Sequence, residues 1–250
     1  MLKPLVNIFH IIIFSLLCFL STVTYANKWT KIAPGIEYID INDHSIINIS
    51  HIHVFKINLK YNQLQLAIGK ELFNRPAFID EFAEIKKSLI AINGGFFDKS
   101  YQPLGLRISG YKLFNQIKGI SWWGIFYINN NKASITNIEN YFPKKGISFA
   151  IQSGPRLIID GKIPSLKPGL AERTALGITK TGKIIIVVTN NNPLTTTALA
   201  NIMKSYPLNC KNALNLDGGG STQLYAKINN LKINVTGFSE VSDAIVVNSI

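Results

Sequence analysis

The chain has 250 residues, 47% of them hydrophobic and 16% charged, and 26 Lys and Arg against 14 Asp and Glu give a formal net charge of +12. That apolar content excludes a disordered or heavily solvated chain, and two cysteines exclude a disulfide-stapled scaffold or an all-cysteine metal cluster. The positive balance favours anionic partners, but only Arg75, Arg107, Arg156 and Arg173 are arginines and the lysines are scattered, so nucleic acid is not an expected partner.

In chain order, residues 1–26 read as a secretory signal: Lys3, an apolar run from Ile8 to Leu20, then Thr24-Tyr25-Ala26 as a cleavage site. The apolar run is short against the roughly 20 residues of a membrane span. The expectation is an exported protein, periplasmic or secreted, with no stable membrane span after cleavage and one domain over 27–250. An uncleaved anchor is the competing reading.

Beyond the signal, His51 to Leu59 and Leu64 to Ile68 alternate with the period of strands. Pro76 to Leu89 reads as a helix with Phe78, Phe82 and Ile85 on one face. Ser88 to Ile92 is a buried strand that ends at Asn93-Gly94-Gly95. Gly124 to Asn129 and Lys132 to Asn137 form a hairpin, and Arg156 to Asp160 turns at Asp160-Gly161. Leu176 to Thr179 turns at Thr181-Gly182 into Lys183 to Thr189, whose unbroken apolar run predicts a central strand. Thr195 to Ser205 reads as a helix with Leu199, Ile202 and Met203 inward, stopped by Pro207. Ala213 to Asp217 and Val241 to Asn248 close the set as strands. Many strands, two helices and no regular βαβ alternation predict an α+β fold: strand-rich mixed sheets flanked by a few helices.

Two junctions share one form, an apolar strand running into a polar residue and then glycines. They are Asn93-Gly94-Gly95 and Asp217-Gly218-Gly219-Gly220-Ser221-Thr222. Glycines after a buried strand leave backbone N–H groups free to face a ligand, so both runs are candidate anion nests. Asn93 and Asp217 then project from rigid strand ends. Gln152-Ser153-Gly154-Pro155 is a third strand-to-turn junction. In Glu172-Arg173 a charged pair enters a strand, and Arg173, with its planar fork of donors, is the best phosphate ligand. A structural ion pair of Arg173 with Glu172 or Asp217 is the alternative. Cys210 reads as a buried structural thiol. His51 and His53 share a strand face and read as a solvated surface rather than a metal site.

Taken together, Asn93-Gly94-Gly95-Phe96-Phe97, Gln152 to Pro155, Glu172 to Gly177 and Asn212 to Thr222 resemble the phosphodiester glycosidase (NAGPA-type, uncovering-enzyme) family. The segment Val241 to Val247 is similar to that family's last strand. The resemblance spans roughly residues 85 to 250. It implies a surface cavity built from these motifs and hydrolysis of a sugar 1-phosphodiester, with a sugar-phosphate or glycan as partner.

Cleaving a sugar C1–O bond to phosphate builds oxocarbenium character that a carboxylate stabilises as nucleophile or base. Asp217 is the first choice for that carboxylate, with Glu172 and Asp98 competing for a second acid–base role. Arg173 with the amides of Gly94, Gly95, Gly218, Gly219 and Gly220 is expected to hold phosphate. Asn93, Gln152, Ser153, Ser221 and Thr222 complete the expected substrate contacts. No cofactor is specified, and a divalent cation at Asp217 is left open. The rival class is a non-catalytic glycan- or sugar-phosphate-binding module, with Trp122 and Trp123 stacking on sugar rings.

Overall fold

The computed structural model describes residues 28–41, 49–142 and 145–250, so the expected signal segment and His44 lie outside the described residues. Three antiparallel sheets enclose one apolar core. The first has seven strands: β1 (Thr30–Ala33), β2 (Ile36–Asp40), β3 (His51–Ile57), β11 (Arg156–Ile158), β12 (Thr174–Thr179), β13 (Ile184–Asn190) and β14 (Cys210–Asn215), in spatial order 1-2-3-13-12-14-11. The second is 7-6-10-8-9, from β6 (Arg107–Ser109), β7 (Lys112–Asn115), β8 (Gly124–Asn129), β9 (Lys132–Asn137) and β10 (Ile147–Ser153). The third is 16-15-5-17-4, from β4 (Asn62–Ile68), β5 (Ile90–Asn93), β15 (Leu224–Ile228), β16 (Leu231–Val235) and β17 (Asp243–Ser249). All strand pairs among the described residues are antiparallel, so the sheets are not mixed as expected.

The unbroken apolar strands have a two-sided explanation. In β13, Ile184, Ile186 and Val188 face the core shared by the three sheets, while Ile185 and Val187 face outward under a helix. That helix, Thr196–Lys204, is capped by the Thr195 hydroxyl, which accepts the Ala198 amide at 3.0 Å. It buries Leu199, Ala200 and Met203; Ile202, expected inward, is only half-buried. Cys210 lies in the same layer, a buried free thiol pushed up to about 12 by desolvation.

The outer face of the third sheet is covered the same way. Ala67, Ala91, Ala244 and Val246 leave shallow space for the helix Ile79–Lys86, which inserts Ile79, Phe82 and Ala83. This helix is shorter than its sequence pattern suggests. It starts after Phe78, whose extended backbone is boxed by Glu81, and stops where Lys87 turns left-handed. Ile85, expected on its inner face, is 52% exposed. A further short helix, Gly69–Phe73, follows β4. No helix among the described residues is long and apolar enough to cross a membrane.

The second and third sheets are joined by a buried ion pair. Arg107 on β6 and Asp243 on β17 are both fully buried, with Nε donating to Oδ2 at 3.0 Å. The guanidinium also donates to the carbonyls of Leu104 (3.2 Å), Gln152 (3.1 Å) and Phe96 (3.2 Å). A buried pair is not stabilising in itself, and an apolar replacement is often neutral. Here three backbone carbonyls, two in loops and one on β10, depend on the same donor, so an apolar replacement orphans them. Arg107→Met and Asp243→Asn are each expected to cost about 3–5 kcal/mol of unfolding free energy in urea denaturation. A loss below about 1 kcal/mol would show that the loops hold without the pair.

Candidate active site

The site forms where the end of β14 leaves the first sheet and meets the third. The Leu216 amide donates to the Thr174 carbonyl (2.9 Å) on β12, and the next amide, Asp217, donates to the Gly94 carbonyl (3.2 Å) beyond β5. Two successive residues thus bridge two sheets, and Asp217 is fixed at their junction. The chain then makes a 3-10 turn over Gly219–Ser221, with Gly219 at φ +61°. Gly218 has no room for a side chain, since a Cβ there would lie 2.7 Å from the Glu172 carbonyl oxygen.

A cavity of about 650 Å³ opens beside this junction. Asp217, Gly218, Gly219 and Asn215 line it from the β14 side, Phe96, Trp122, Gly154 and Pro155 from the neighbouring loops, and the 165–171 segment with Arg173 elsewhere. Asp217 is the one carboxylate among the described lining residues. It is largely withdrawn from water, and desolvation lifts its pKa above the ordinary 3.8 despite hydrogen bonds from the Ser221 hydroxyl and the Gly218 amide. Arg173 and Lys167 bring positive charge, and neither has an acidic partner among the described residues. Arg173 is instead held by the carbonyls of Leu194 (Nε, 2.8 Å) and Gly169 (Nη2, 2.5 Å), so the expected alternative of an ion pair with Glu172 or Asp217 is not formed. Partial burial lowers its pKa. Trp122 is 58% exposed against the cavity, whereas Trp123 is buried and packs on Phe96 at 5.1 Å between ring centroids.

Of the residues the sequence nominates, Asp217, Arg173, Gly218 and Gly219 meet at the cavity, and Ser221 reaches it through Asp217. Several others turn inward. Asn93 is fully buried; its amide nitrogen donates to the Asp217 carbonyl (2.8 Å), and its Oδ1 accepts the Thr174 hydroxyl (2.6 Å) and the Gln223 amide (3.2 Å). Gln152 is also fully buried, its Oδ-equivalent carbonyl Oε1 accepting the amides of Leu106 (3.0 Å) and Lys118 (2.8 Å). Both hold the loops around the cavity rather than presenting polar atoms to it. Ser153 and Thr222 are buried too.

The two competing acids lie elsewhere. Glu172 accepts the Thr189 hydroxyl and the Asn192 amide (2.9 Å), tying the end of β13 to the start of β12. Asp98 is exposed in a tight turn, where it accepts the amides of Ser100 (2.8 Å) and Gln102 (2.9 Å). Neither lines the cavity.

The first glycine pair has a different use from the expected nest. Its amides donate to the carbonyl (Gly94, 2.9 Å) and the carboxylate (Gly95, 3.3 Å) of Asp243. A Cβ at Gly94 would lie 1.7 Å from Asp243 Oδ1, and one at Gly95 2.6 Å from Arg107 Nη2. Close approach to the buried ion pair is what these glycines permit. In the second run, the Gly218 amide serves the Asp217 carboxylate and the Gly219 amide the Glu172 carbonyl (2.8 Å).

Arg107, Asp243 and Lys167 were not nominated by the sequence. The signal for the pair is opposite charges at single positions of two apolar strands, Leu106-Arg107-Ile108 and Asp243-Ala244-Ile245. His51 and His53 are not a solvated face. Their rings stack 5.2 Å apart, His51 Nδ1 bonds Asp40 at 2.6 Å, and His53, paired with the Tyr38 hydroxyl at 2.9 Å, is lowered to about 4 chiefly by desolvation. No group of three or more His, Cys, Asp or Glu converges as metal ligands among the described residues.

The raised Asp217 pKa carries a stability cost with a definite sign. Above 3.8 the unfolded chain has released this proton while the folded protein still holds it, so stability falls as pH rises through that interval and stays lower above it. Asp217→Asn removes the cost. The variant is expected to melt at or above the wild-type temperature near pH 7, with the difference closing toward about pH 3, as read by calorimetry across pH.

The fold is similar to the zebrafish N-acetylglucosamine-1-phosphodiester alpha-N-acetylglucosaminidase (NAGPA) catalytic domain, solved auto-inhibited by its pro-peptide, with a TM-score of 0.66, 21% identity and coverage of 89% of this chain and 86% of that one. It is also similar to a hypothetical protein from Synechocystis, with a TM-score of 0.60, 17% identity and coverage of 88% and 63%. At these identities the likeness shows the fold. The uncharacterized protein YigE of Escherichia coli K12 is 35% identical over 111 residues, which cover 40% of this chain and 44% of YigE, so the matched part is less than half of that relative. The sequence profile of the phosphodiester glycosidase family (NAGPA) matches residues 86–248, more than half of the chain and all of the cavity-forming junctions, and the chain belongs to that family.

Proposed function

We propose that the protein is an exported hydrolase that cleaves the C1–O bond of a sugar 1-phosphodiester. The observation that carries this reading is a single desolvated carboxyl, Asp217, lining a cavity with two cations that have no acidic partner among the described residues, Arg173 and Lys167. Family membership and the activity by which the zebrafish relative is named support the same chemistry, with N-acetylglucosamine as the first sugar to try.

In the proposed reaction, water attacks the anomeric carbon and Asp217 takes the proton that this water loses. The C1–O bond breaks with its electron pair passing to the phosphate oxygen, releasing a phosphomonoester. Its second pKa is about 6, so it departs without a general acid. The absence of a second carboxylate from the described lining fits this direct displacement better than a covalent glycosyl intermediate, whose breakdown needs a separate base. Arg173 and Lys167 hold the charge that grows on the phosphate. Desolvation makes Asp217 a stronger base than an exposed aspartate. Trp122 and Phe96 offer apolar faces to the sugar ring.

Incubating the chain with N-acetylglucosamine 1-phosphodiesters should release reducing sugar. Binding without release would favour the glycan-binding alternative. Asp217→Asn is expected to lower kcat by about 10²- to 10⁴-fold while its circular dichroism is unchanged. Arg173→Gln should lower kcat/KM by about 10²-fold. The acid limb of kcat/KM in the wild type should lie above 3.8, the ordinary aspartate value, because the basic form of Asp217 is required. A limb at or below that value would remove Asp217 from the role of base.

A further inference from the structure

The polar groups on the cavity wall are few, and most are already used. The Thr196 hydroxyl donates to the Lys167 carbonyl at 2.9 Å. The Asn215 amide nitrogen donates to the carbonyls of Gly154 (3.1 Å) and Leu216 (2.6 Å), and its Oδ1 is shut away from solvent. Arg173 spends Nε and Nη2 on backbone carbonyls. What is left for a ligand is the Asp217 carboxyl, the remaining donors of Arg173, the Lys167 ammonium and the Ser165 hydroxyl.

The rest of the wall is carbon, and it divides by kind. The aromatic side, Phe96 and Trp122, suits the flat faces of a sugar ring. The 165–171 segment is aliphatic, with Leu166, Pro168 and Ala171 on the lining. Leu170, between the last two, is 72% exposed. Leu170 extends this aliphatic wall into solvent, and an apolar ligand that covers it removes that area from water.

Resting on the glycosidase reading above, we infer that the group esterified to the far side of the phosphate is an aliphatic chain, so that the substrate class is a sugar 1-phosphate carried on a lipid-like alcohol. A second sugar in that place brings several hydroxyls, and each needs a partner once it leaves water. Ser165 supplies one hydroxyl. An alkyl chain needs none, and along the 165–171 segment it covers Leu166 and Leu170 while its phosphate stays with Arg173 and Lys167.

Two measurements decide this separately from the chemistry. By calorimetry, octyl phosphate, kept below its micellar concentration, should bind about tenfold or more tightly than methyl phosphate, the worth of about two buried methylenes. Leu170→Gln and Leu166→Asn should each cut that preference about threefold or more; Leu170 is exposed, so its variant folds. Equal binding of the two esters, or a preference unchanged in both variants, overturns the inference. For turnover, N-acetylglucosamine 1-(octyl phosphate) should outpace the 1-(methyl phosphate) and UDP-N-acetylglucosamine in kcat/KM. Faster release from the UDP compound overturns the aliphatic assignment. Release from none of the three sinks the glycosidase reading instead, and the binding comparison still decides whether the wall takes an alkyl chain.

Discussion

The buried ion pair between Arg107 and Asp243 sets the geometry of everything around the cavity. It lies at the seam of the second and third sheets, and both side chains are wholly removed from water. Such a pair repays its desolvation only when the remaining donors and acceptors are satisfied as well. The satisfaction here comes from the loops and strand ends that build the site. Arg107 holds the carbonyls of Phe96 and Gln152, and Asp243 holds the amides of Gly94 and Gly95 through its carbonyl and carboxylate. Gly94 in turn accepts the Asp217 amide. The route from ion pair to cavity is thus two residues long, and the glycines are required along it because any Cβ would collide with the charged groups.

This arrangement explains the uneven fate of the polar residues at strand ends. Asn93 and Asp217 have the same sequence context, a hydrophobic strand before them and glycines after, and both reach the junction of the first and third sheets. Asn93 points into the seam, where an amide both donates to Asp217 and accepts from Thr174 and Gln223. A carboxylate there would lack the donor that Asp217's carbonyl needs. Asp217 turns toward the cavity, whose wall also carries Arg173 and Lys167. The pattern of residues locates the junction, but the side of the seam each one faces depends on partners far away in the chain.

The same distinction separates what was legible in the sequence from what was not. Strands with both faces covered, such as β13 and β17, announce themselves by unbroken apolar runs. The hairpin of β8 and β9 follows its turn residues. The edge strands β1 and β7 are short, with exposed or half-buried positions and no alternation, while β16 alternates over only five residues, Leu231 to Val235. The two longer helices show their apolar positions, but their inner faces are set by the sheets beneath. Small residues on the third sheet admit Ile79 and Ala83 beside Phe82, and Ile85 is turned outward. At the site, Asp217 and Arg173 were legible as chemistry. Lys167 was not, because nothing near Pro164-Ser165-Leu166-Lys167-Pro168 signals that this loop returns to the strand ends.

The ion pair also bears on the electrostatics of Asp217. An unpaired Arg107 at this depth would favour the ionised carboxylate and weaken it as a base. With Asp243 alongside, the two charges act on Asp217 in opposite directions, Asp243 raising its pKa and Arg107 lowering it, and desolvation is left as the largest influence. The fold therefore gains a many-handed guanidinium for holding loops without placing an uncompensated positive field on the carboxyl. Positive charge on the cavity wall comes instead from Arg173 and Lys167. Keeping the structural cation paired and the ligand-facing cations without an acidic partner among the described residues lets one small region be rigid, basic at Asp217 and receptive to an anion together.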